Sequence, residues 1–362
     1  MDGTSKELSA IDADSHVIEG DELFTDYLDP QYRARTSGHA LDWRGVRRLA
    51  VDGQVHPPFP ASISIRKPMA AEDRIKVLDK ERVRAAVLFP SGALVAMYAC
   101  DAPFAQAMAR AYNDWIADYV APYRDRMFAT ALVALHDVDA ACAEARRAVA
   151  KGAVAVAIRP NPCLGRMLDD PVYDKFYVTV QDLAVPLAVH ETTGDPATAG
   201  GDRYGMRNEQ RYVFNHIISH AFEQMFATMS IIGGGVLERF PRLKVGFFEA
   251  GCSWAPYWLS RMDEHHAHRR IGIQMPIKMK PSEYFERQCM VSCDPGDHTI
   301  PLAVAGIGAH KIAFATDYPH FDSEGGAVRA FLDVHGIVTT DQRKILWDNA
   351  AAFYGLQLKV DA

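Results

Sequence analysis

Two short polar motifs near opposite ends of the chain contain residue types that bind a catalytic divalent metal. Asp14-Ser15-His16 closes the weakly apolar segment LSAIDADSH, and Asp317-Tyr318-Pro319 closes the strongly apolar segment KIAFATDYP. A third apolar segment, VPLAVHE, contains His190 near its end. Imidazole nitrogens and carboxylate oxygens are ordinary ligands of such metals. The sequence therefore predicts a metal centre assembled from separate segments.

The spacing of these residues restricts the structure that could bring them together. Asp14 and His16 are two positions apart, so on a strand their side chains share one face. His190 and Asp317 can reach them only if all the strands are parallel and share one carboxyl edge, which is where barrel enzymes place their chemistry. Each motif alone is weak, since a structural Asp-His pair or a core histidine is as common. Their combination indicates an active site.

Strand and helix patterns alternate along most of the chain and can supply such an edge. After LSAIDADSH, the predicted strands cover 83–90, 128–135, 153–160, 185–191, 243–251, 288–295 and 311–319. Helical patterns cover about 103–121, 137–151, 170–183, 209–239, a segment from Ser253, 297–306, 324–335 and 340–354. Eight strands, each followed by helix, predict an α/β fold of the (β/α)₈ TIM barrel type. A doubly wound sheet is the alternative, but the chain has no GxGxxG or GxxxxGK[ST] phosphate loop.

The segment from about 20 to 75 does not follow this alternation. Asp52-Gly53 within it predicts a hairpin turn between two short strands. Because the segment follows the first strand, we expect an inserted lid over the barrel mouth, within one barrel domain that spans 1–362. A passive surface insertion is the alternative.

Composition limits the class of protein and its partners. The chain has 362 residues, is 49% hydrophobic and carries a net charge of −7 without a basic block, which argues against nucleic acid as a partner. No apolar segment approaches the roughly 18 residues of a membrane span. The polar N-terminus resembles no signal peptide, and the six cysteines form no CxxC pair, so we expect a cytoplasmic protein. A small-molecule substrate is expected, and a homodimer or higher homo-oligomer is compatible with the sequence.

The motifs together resemble the amidohydrolase superfamily, in the branch of aminocarboxymuconate semialdehyde decarboxylase and the resorcylate-type decarboxylases. The resemblance spans nearly the whole chain and rests on DADSHVIE, RPN, VHE, GGVLERFPRLKVGFFEAG, ATDYPH and WDNAAAFYGL. It implies a barrel with one divalent metal, most often zinc, with manganese and iron as alternatives. By resemblance, Asp14, His16, His190 and Asp317 would be the ligands, although His or Glu is commoner in the family at the first position.

A second departure from the family pattern concerns proton transfer. Many members carry a proton-shuttling histidine in an HGG-like motif after the sixth strand, where this chain has Glu249. We expect Glu249 to act as a base or proton carrier, with metal ligation or an ion pair with Arg261 as alternatives. His220 also falls on a family position. It could orient Glu249 or a water molecule, or it could be a core histidine.

Further residues are candidates for binding the substrate. Arg159 and Asn161 follow the fourth strand, where a guanidinium suits a substrate carboxylate. A salt bridge to a loop acid is the alternative for Arg159. Tyr318 and His320 are expected to line the pocket, and Trp254 could form an aromatic wall or belong to the core.

These residues predict a metal-dependent hydrolase that acts on a small organic acid, amide, ester or lactone through a metal-activated water. Asp317 would accept the proton of that water, and Glu249 would assist the second proton transfer. The alternative is non-oxidative decarboxylation of a carboxylic acid, aromatic acids included, in which Asp317 would protonate the carbon. A barrel without catalytic activity that serves as a binding protein is a further alternative.

Overall fold

The computed structural model describes residues 9–41, 47–52, 54–56, 67–96, 101–191, 212–268, 275–321, 323 and 325–358. Its strands are β1 (Ala10–His16), β2 (Thr36–Leu41), β3 (Arg47–Val51), β4 (Gln54–His56), β5 (Val83–Phe89), β6 (Met127–Leu132), β7 (Ala155–Ile158), β8 (Leu187–His190), β9 (Val245–Phe248), β10 (Cys289–Cys293) and β11 (Ile312–Phe314).

The described α-helices are α1 (Ala71–Lys80), α2 (Gly92–Ala96), α3 (Ala102–Val120), α4 (Val138–Ala150), α5 (Asp174–Asp182), α6 (Tyr212–Thr228), α7 (Val236–Arg239), α8 (Trp254–Ala267), α9 (Pro281–Gln288), α10 (Ile300–Ile307), α11 (Ala327–Leu332), α12 (Thr339–Arg343) and α13 (Asn349–Tyr354).

Eight strands of the described chain form one sheet in the order β1-β5-β6-β7-β8-β9-β10-β11, and all the pairs within it are parallel. The first and last strands meet just beyond β11. Asp317 N–H donates to the Asp14 carbonyl at 3.1 Å, and His16 N–H donates to the Tyr318 carbonyl at 2.8 Å. Helices separate the strands along the chain, so the predicted (β/α)₈ TIM barrel is confirmed.

Alternate residues of the strands face two different layers of the core. Positions such as Leu88 and Val156 pack between the sheet and the helices, whereas Val87, Ala157 and Ala188 belong to a second cluster inside the barrel. Many interior positions are alanines, which leaves room for the aromatic rings at the barrel centre. Burial on both faces is what makes the strands apolar at almost every position.

Strand β1 contains an irregularity that determines which side chains face the interior. Ile11 and Ala13 belong to the interior cluster, yet Asp14 and His16 also face inward, although they have the opposite parity. The register with β5 shifts between Asp12 and Ser15. An extra residue in one strand re-aims the side chains that follow, and here it turns both polar residues towards the barrel axis.

A small antiparallel sheet of β2, β3 and β4 lies in the predicted insertion. Strands β3 and β4 flank Asp52, which has a φ of 50°, so the predicted hairpin is confirmed. Helix α1 begins at Ala71, and the insertion therefore ends before residue 75. Residues 42–46, 53 and 57–66 lie outside the described residues. The function as a lid stays a prediction, as does the single-domain assignment.

The predicted helices agree with the structure except at their ends. The predicted pair over 209–239 consists of α6, a π-helical turn over Met229–Gly233 and the short α7, and residues 209–211 lie outside the described chain. The last predicted helix is likewise divided by a π-helical turn over Lys344–Asp348. None of the described helices is long and apolar enough to cross a membrane.

Gln224 of α6 connects this helix to two strands next to the candidate site. Its fully buried amide donates to the Val189 carbonyl at 2.9 Å and to the Phe248 carbonyl at 2.8 Å. These carbonyls precede His190 and Glu249 in the chain. The contact thus fixes the ends of β8 and β9 relative to each other.

We predict that Gln224→Ala lowers the free energy of unfolding by about 1–3 kcal/mol, because it leaves two buried carbonyls without donors. Urea denaturation followed by circular dichroism measures the change. Gln106→Ala is the matched control, since Gln106 also donates to two carbonyls, at 3.2 and 3.4 Å, but is only half-buried. Equal losses in the two variants would contradict the prediction.

Candidate active site

The predicted metal-binding residues converge at the carboxyl edge of the barrel. Asp14 and His16 lie at the end of β1, and His190 is the last residue of β8. Glu249 follows β9 directly, and Asp317 lies three residues beyond β11. Because the strands are parallel, all five side chains meet on one side of the sheet.

The two histidines face each other through their Nε2 atoms, which are 3.0 Å apart. Each outer nitrogen lies beside a backbone carbonyl, with His16 Nδ1 3.1 Å from the Pro90 oxygen and His190 Nδ1 2.7 Å from the Glu191 oxygen. A carbonyl can only accept a hydrogen bond, so each Nδ1 carries a proton and each Nε2 faces the other ring. Two Nε2 atoms at this distance need a proton or a metal cation between them, because two lone pairs would repel. Metal-binding imidazoles are oriented in this way.

Two carboxylates complete this group of donor atoms. Asp14 Oδ1 lies 3.1 Å from His190 Nε2 and 3.7 Å from His16 Nε2, and Asp317 Oδ1 lies 3.3 Å from His16 Nε2. Asp14, His16 and His190 are each 1% exposed. The ligand atoms of these three residues lie within 4.8 Å of one another. Asp317 belongs to a second such group, which shares His16. Imidazoles and carboxylates at these distances suit a divalent cation of the zinc, manganese or iron type.

The surroundings shift the pKa values of His16 and His190 in opposite directions. Burial, together with nearby His320 and His190, lowers the pKa of His16 well below its usual range. Burial opposes the charge of His190 as well, but Asp14 and Glu249 raise its pKa to about 9. The carboxylates therefore create a negative field that favours positive charge between them. A divalent cation would compete with the proton on His190, so its binding would weaken as the pH falls.

Glu249 lies among three imidazoles. Its Oε2 is 3.3 Å from His190 Nδ1, and its Oε1 is 3.6 Å from both His220 Nε2 and His320 Nδ1. Burial alone would raise the pKa of Glu249, but His190 and His220 hold it well below its usual range. Arg261, the alternative partner in the sequence analysis, is exposed on α8. Glu249 is therefore an ionised carboxylate surrounded by histidines.

The backbone at two of the site residues adopts an unusual conformation. Glu249 has a φ of 58° and Asp317 a φ of 53°. Non-glycine residues seldom adopt positive φ, at a cost of roughly 1–3 kcal/mol, and such residues cluster at functional sites. Glu249 directly follows β9 and Asp317 lies three residues beyond β11, and at both positions the turn of the chain directs the carboxylate into the barrel mouth.

His220 and His320 are each oriented by a second contact. His220 Nδ1 lies 2.8 Å from the His216 carbonyl one helical turn earlier, which leaves Nε2 directed at Glu249. His320 Nδ1 lies 2.7 Å from Asp317 Oδ1, and its Nε2 lies 2.9 Å from Ser91 Oγ. Burial opposes the charge of His220, but Glu249 raises its pKa to about 9. His220 therefore connects Glu249 to the His216 carbonyl, and His320 connects Asp317 to Ser91.

A cavity of about 580 Å³ opens onto this cluster. Asp14, Glu249 and Asp317 line one part of it, and Asp294 and Asp297 line another. Its volume suits a small organic molecule. The lining residues within the described chain include His216 and His220 but no arginine or lysine.

The other predicted substrate-binding residues lie outside this described lining. Arg159 Nη2 donates to Asn161 Oδ1 at 2.5 Å, and Asn161 in turn donates to Glu223. Trp254 is 8% exposed, and its indole donates to the Gly251 carbonyl, so it belongs to the core. Tyr318 faces away towards α1. Of the five predicted substrate-binding residues, only His320 lies within the cluster of histidines and carboxylates. The substrate contacts of all five stay predictions.

Several residues around the site were not identified from the sequence. Asp12 accepts hydrogen bonds from Thr316 N at 3.0 Å and Thr316 Oγ1 at 2.5 Å, and burial raises its pKa to about 6. The repeated Asp-x-Asp-x-His pattern of β1 could have indicated Asp12. Arg74 and Asp294 had no comparable signal, because a helical arginine and an aspartate after a strand are usually solvated.

The comparisons with known proteins agree with this fold. The chain is 26% identical over 291 residues to gamma-resorcylate decarboxylase of Polaromonas sp., covering 78% of this chain and 86% of that protein. The crystal structure of an amidohydrolase of Mycobacterium avium subsp. paratuberculosis covers 98% of this chain and 99% of its own, with a TM-score of 0.81 and 21% identity. At that identity the likeness shows the fold alone.

A dihydroxybenzoic acid decarboxylase of Polaromonas sp. was solved with bound manganese and the inhibitor 2-nitroresorcinol. It covers 97% of this chain and 98% of its own, with a TM-score of 0.69 and 21% identity. The sequence model of the amidohydrolase family matches residues 11–356. Nearly the entire barrel is included in that match, and the chain therefore belongs to the amidohydrolase family.

Proposed function

We propose that this protein is a metal-dependent carboxy-lyase that removes CO₂ non-oxidatively from a small, preferably aromatic, carboxylic acid. The observation that carries the proposal is the clustering of Asp14, His16, His190 and Asp317 beside a cavity of about 580 Å³, which Asp14 and Asp317 line. Gamma-resorcylate decarboxylase of Polaromonas sp. matches this chain over 86% of its own length, and this similarity favours decarboxylation over hydrolysis.

Asp14, His16, His190 and Asp317 would hold one divalent ion. Manganese is our first choice because a structurally similar decarboxylase contains it, and zinc and iron are alternatives. When bound, such an ion polarises oxygen atoms of the substrate and neutralises negative charge. The proposed ligand roles rest on the facing Nε2 atoms and on the two adjacent carboxylate oxygens.

Asp317 would deliver the proton that the reaction requires. In decarboxylation the bond between the carboxylate and the neighbouring carbon breaks, its electron pair remains on that carbon, and a proton must then bind there. Asp317 lines the cavity and is 22% exposed, so it can reach the substrate. His320 Nδ1 lies 2.7 Å from Asp317 Oδ1, and a proton shared by these two atoms is close to the cavity.

Glu249 would maintain protons on the histidines around it. Its carboxylate lies within 3.6 Å of His220 and His320, where a negative charge stabilises imidazolium. The family resemblance places a proton-shuttling histidine at this position. We therefore propose that here the shuttle is divided between Glu249 and its histidine neighbours.

Hydrolysis is the second candidate, and the ionised state of Glu249 favours it. An ionised carboxylate is the form that could accept a proton from an attacking water, and a pKa well below the usual range makes it a weak base. On the sequence alone, hydrolysis ranks first because Glu249 stands where the resemblance leads us to expect a histidine. The similarity to decarboxylases favours decarboxylation over hydrolysis.

We predict that the purified protein contains close to one divalent ion per chain and that His190→Ala loses it, because a site with few ligands seldom retains metal without one imidazole. Elemental analysis after gel filtration measures the content. His310→Ala is the control, since His310 is exposed and pairs with Glu286. Full activity of the wild type after exhaustive chelation would refute the metal mechanism.

We expect Glu249→Gln to lower kcat by about a hundredfold or more, because the shape is retained while the charge that handles protons is lost. Metal content should stay near normal. Steady-state kinetics and elemental analysis on the same preparation distinguish a role in proton transfer from metal ligation. Glu286→Gln is the control, because Glu286 is exposed. Loss of metal would reassign Glu249 as a ligand, and unchanged kcat would leave it structural.

Isotope labelling should distinguish the two reactions. With any turned-over member of a hydroxybenzoate panel that includes 2,6-dihydroxybenzoate, we expect deuterium from D₂O on a product carbon and release of CO₂. Mass spectrometry of products made in D₂O and separately in ¹⁸O water gives the answer. Incorporation of ¹⁸O into a newly formed product group, without CO₂, would establish hydrolysis instead.

A further inference from the structure

Arg74 of α1 is a buried cation directly behind the candidate metal centre. Its side chain is 2% exposed, and an arginine is seldom so buried unless it is paired. Its Nη2 donates to Ser15 Oγ at 2.5 Å and to the Tyr318 carbonyl at 3.1 Å. The guanidinium also lies 4.3 Å from the centre of the Tyr318 ring. These three contacts involve two residues, and the charge of the buried Asp12 carboxylate also acts on the guanidinium.

Those two residues are neighbours of the proposed ligands in the chain. Ser15 lies between Asp14 and His16, and Tyr318 follows Asp317. The Arg74 side chain therefore connects the ligand-bearing end of β1 to the ligand-bearing turn after β11. It lies on the helix side of the barrel wall, away from the cavity.

The Tyr318 carbonyl is the centre of this connection. It accepts hydrogen bonds from His16 N at 2.8 Å, from Ser15 Oγ at 3.1 Å and from Arg74 Nη2 at 3.1 Å. Three donors on one oxygen fix its position more strongly than the single backbone bond of an ordinary strand pair. The residue before it, Asp317, has the positive φ of 53° that directs its carboxylate to the metal cluster.

We propose that Arg74 is a positioning residue of the metal centre, which holds the Asp317 turn against β1 so that ligands from the first and last barrel strands reach one ion. The proposal rests on the proposed metal-dependent function. A planar guanidinium can bond to two acceptors and stack on a ring, whereas a lysine ammonium offers the charge without that geometry. Arg74 therefore acts through the ligands and touches neither metal nor substrate.

Arg126, the residue before β6, provides a matched control because it contacts the same helix. Its guanidinium donates to Asp79 Oδ1 of α1 at 2.5 Å and to the Arg84 carbonyl of β5 at 2.6 Å. It thus fixes the opposite end of α1, at the amino ends of the strands. Its removal should reduce stability without altering the metal site.

The experiment measures Co²⁺ binding by metal-free wild-type protein and by the Arg74→Ala, Arg74→Lys and Arg126→Ala variants. We expect Arg74→Ala to weaken Co²⁺ affinity by about ten- to hundredfold, the usual effect of losing a group that orients metal ligands, and to alter the visible Co²⁺ spectrum. Arg74→Lys should show an intermediate loss. Arg126→Ala should lower the Tm of the metal-free protein while its Co²⁺ affinity stays within about twofold of wild type.

Added guanidinium should distinguish positioning from a general effect on folding. A small cavity of about 40 Å³ is already lined by Arg74 and Tyr318, so removal of the side chain would leave space for the free ion. We expect millimolar guanidinium to restore Co²⁺ affinity to Arg74→Ala and to have no effect on Arg126→Ala.

Two outcomes would overturn the proposal about Arg74. One is wild-type Co²⁺ affinity and spectrum in the Arg74 variants. The other is a loss of affinity no larger than that of Arg126→Ala at a similar loss of Tm. If Arg74→Ala fails to fold, Arg74→Lys decides by the same measurements. Failure of the wild type to bind Co²⁺ would instead refute the proposed metal function, and this inference with it.

Discussion

The site depends on holding together groups that repel one another. Two imidazole Nε2 atoms face each other at 3.0 Å, with carboxylate oxygens of Asp14 and Asp317 at 3.1 and 3.3 Å from them. In water these groups would separate. Here the closed barrel prevents it, because each group is attached to a strand whose neighbours are fixed on both sides. A divalent cation is the natural partner of such a cluster, since it converts the repulsion into attraction.

Much of the surrounding structure opposes that repulsion. The register shift in β1 turns Asp14 and His16 into the barrel, and the positive φ at Asp317 directs a third donor towards them. Glu19 accepts hydrogen bonds from Ser91 N at 3.0 Å and from Gly92 N at 2.8 Å, which fixes the serine that contacts His320. Polar groups in a buried site are costly unless they are bonded in this way. The energetic cost of the site is thus distributed over residues that have no direct chemical role.

Glu249 acts on the site through its charge. A histidine at that position could carry a proton by itself, whereas a carboxylate between His190, His220 and His320 acts through its effect on their charge. The cavity beyond it is lined by further acids, Asp294 and Asp297, which favour hydrogen-bond donors on that part of a ligand. The described mouth of the barrel is therefore rich in carboxylates and imidazoles.

The sequence by itself determined the barrel, because strands that are apolar at every position and alternate with helices are stable mainly as a covered parallel sheet. It also indicated the residues that meet at the carboxyl edge, since Asp14, His16, His190 and Asp317 all close predicted strands. It left open whether Trp254 lines the pocket or belongs to the core, and it did not predict that Arg159 would bond to Asn161, because an arginine at a strand end has several partners of similar energy. Three features arise from contacts between residues about 60 to 300 positions apart. They are the inward orientation of the Asp14 side chain, the three donors on the Tyr318 carbonyl and the burial of Arg74. Only the tertiary structure decides such contacts, because closure of the barrel brings these segments together.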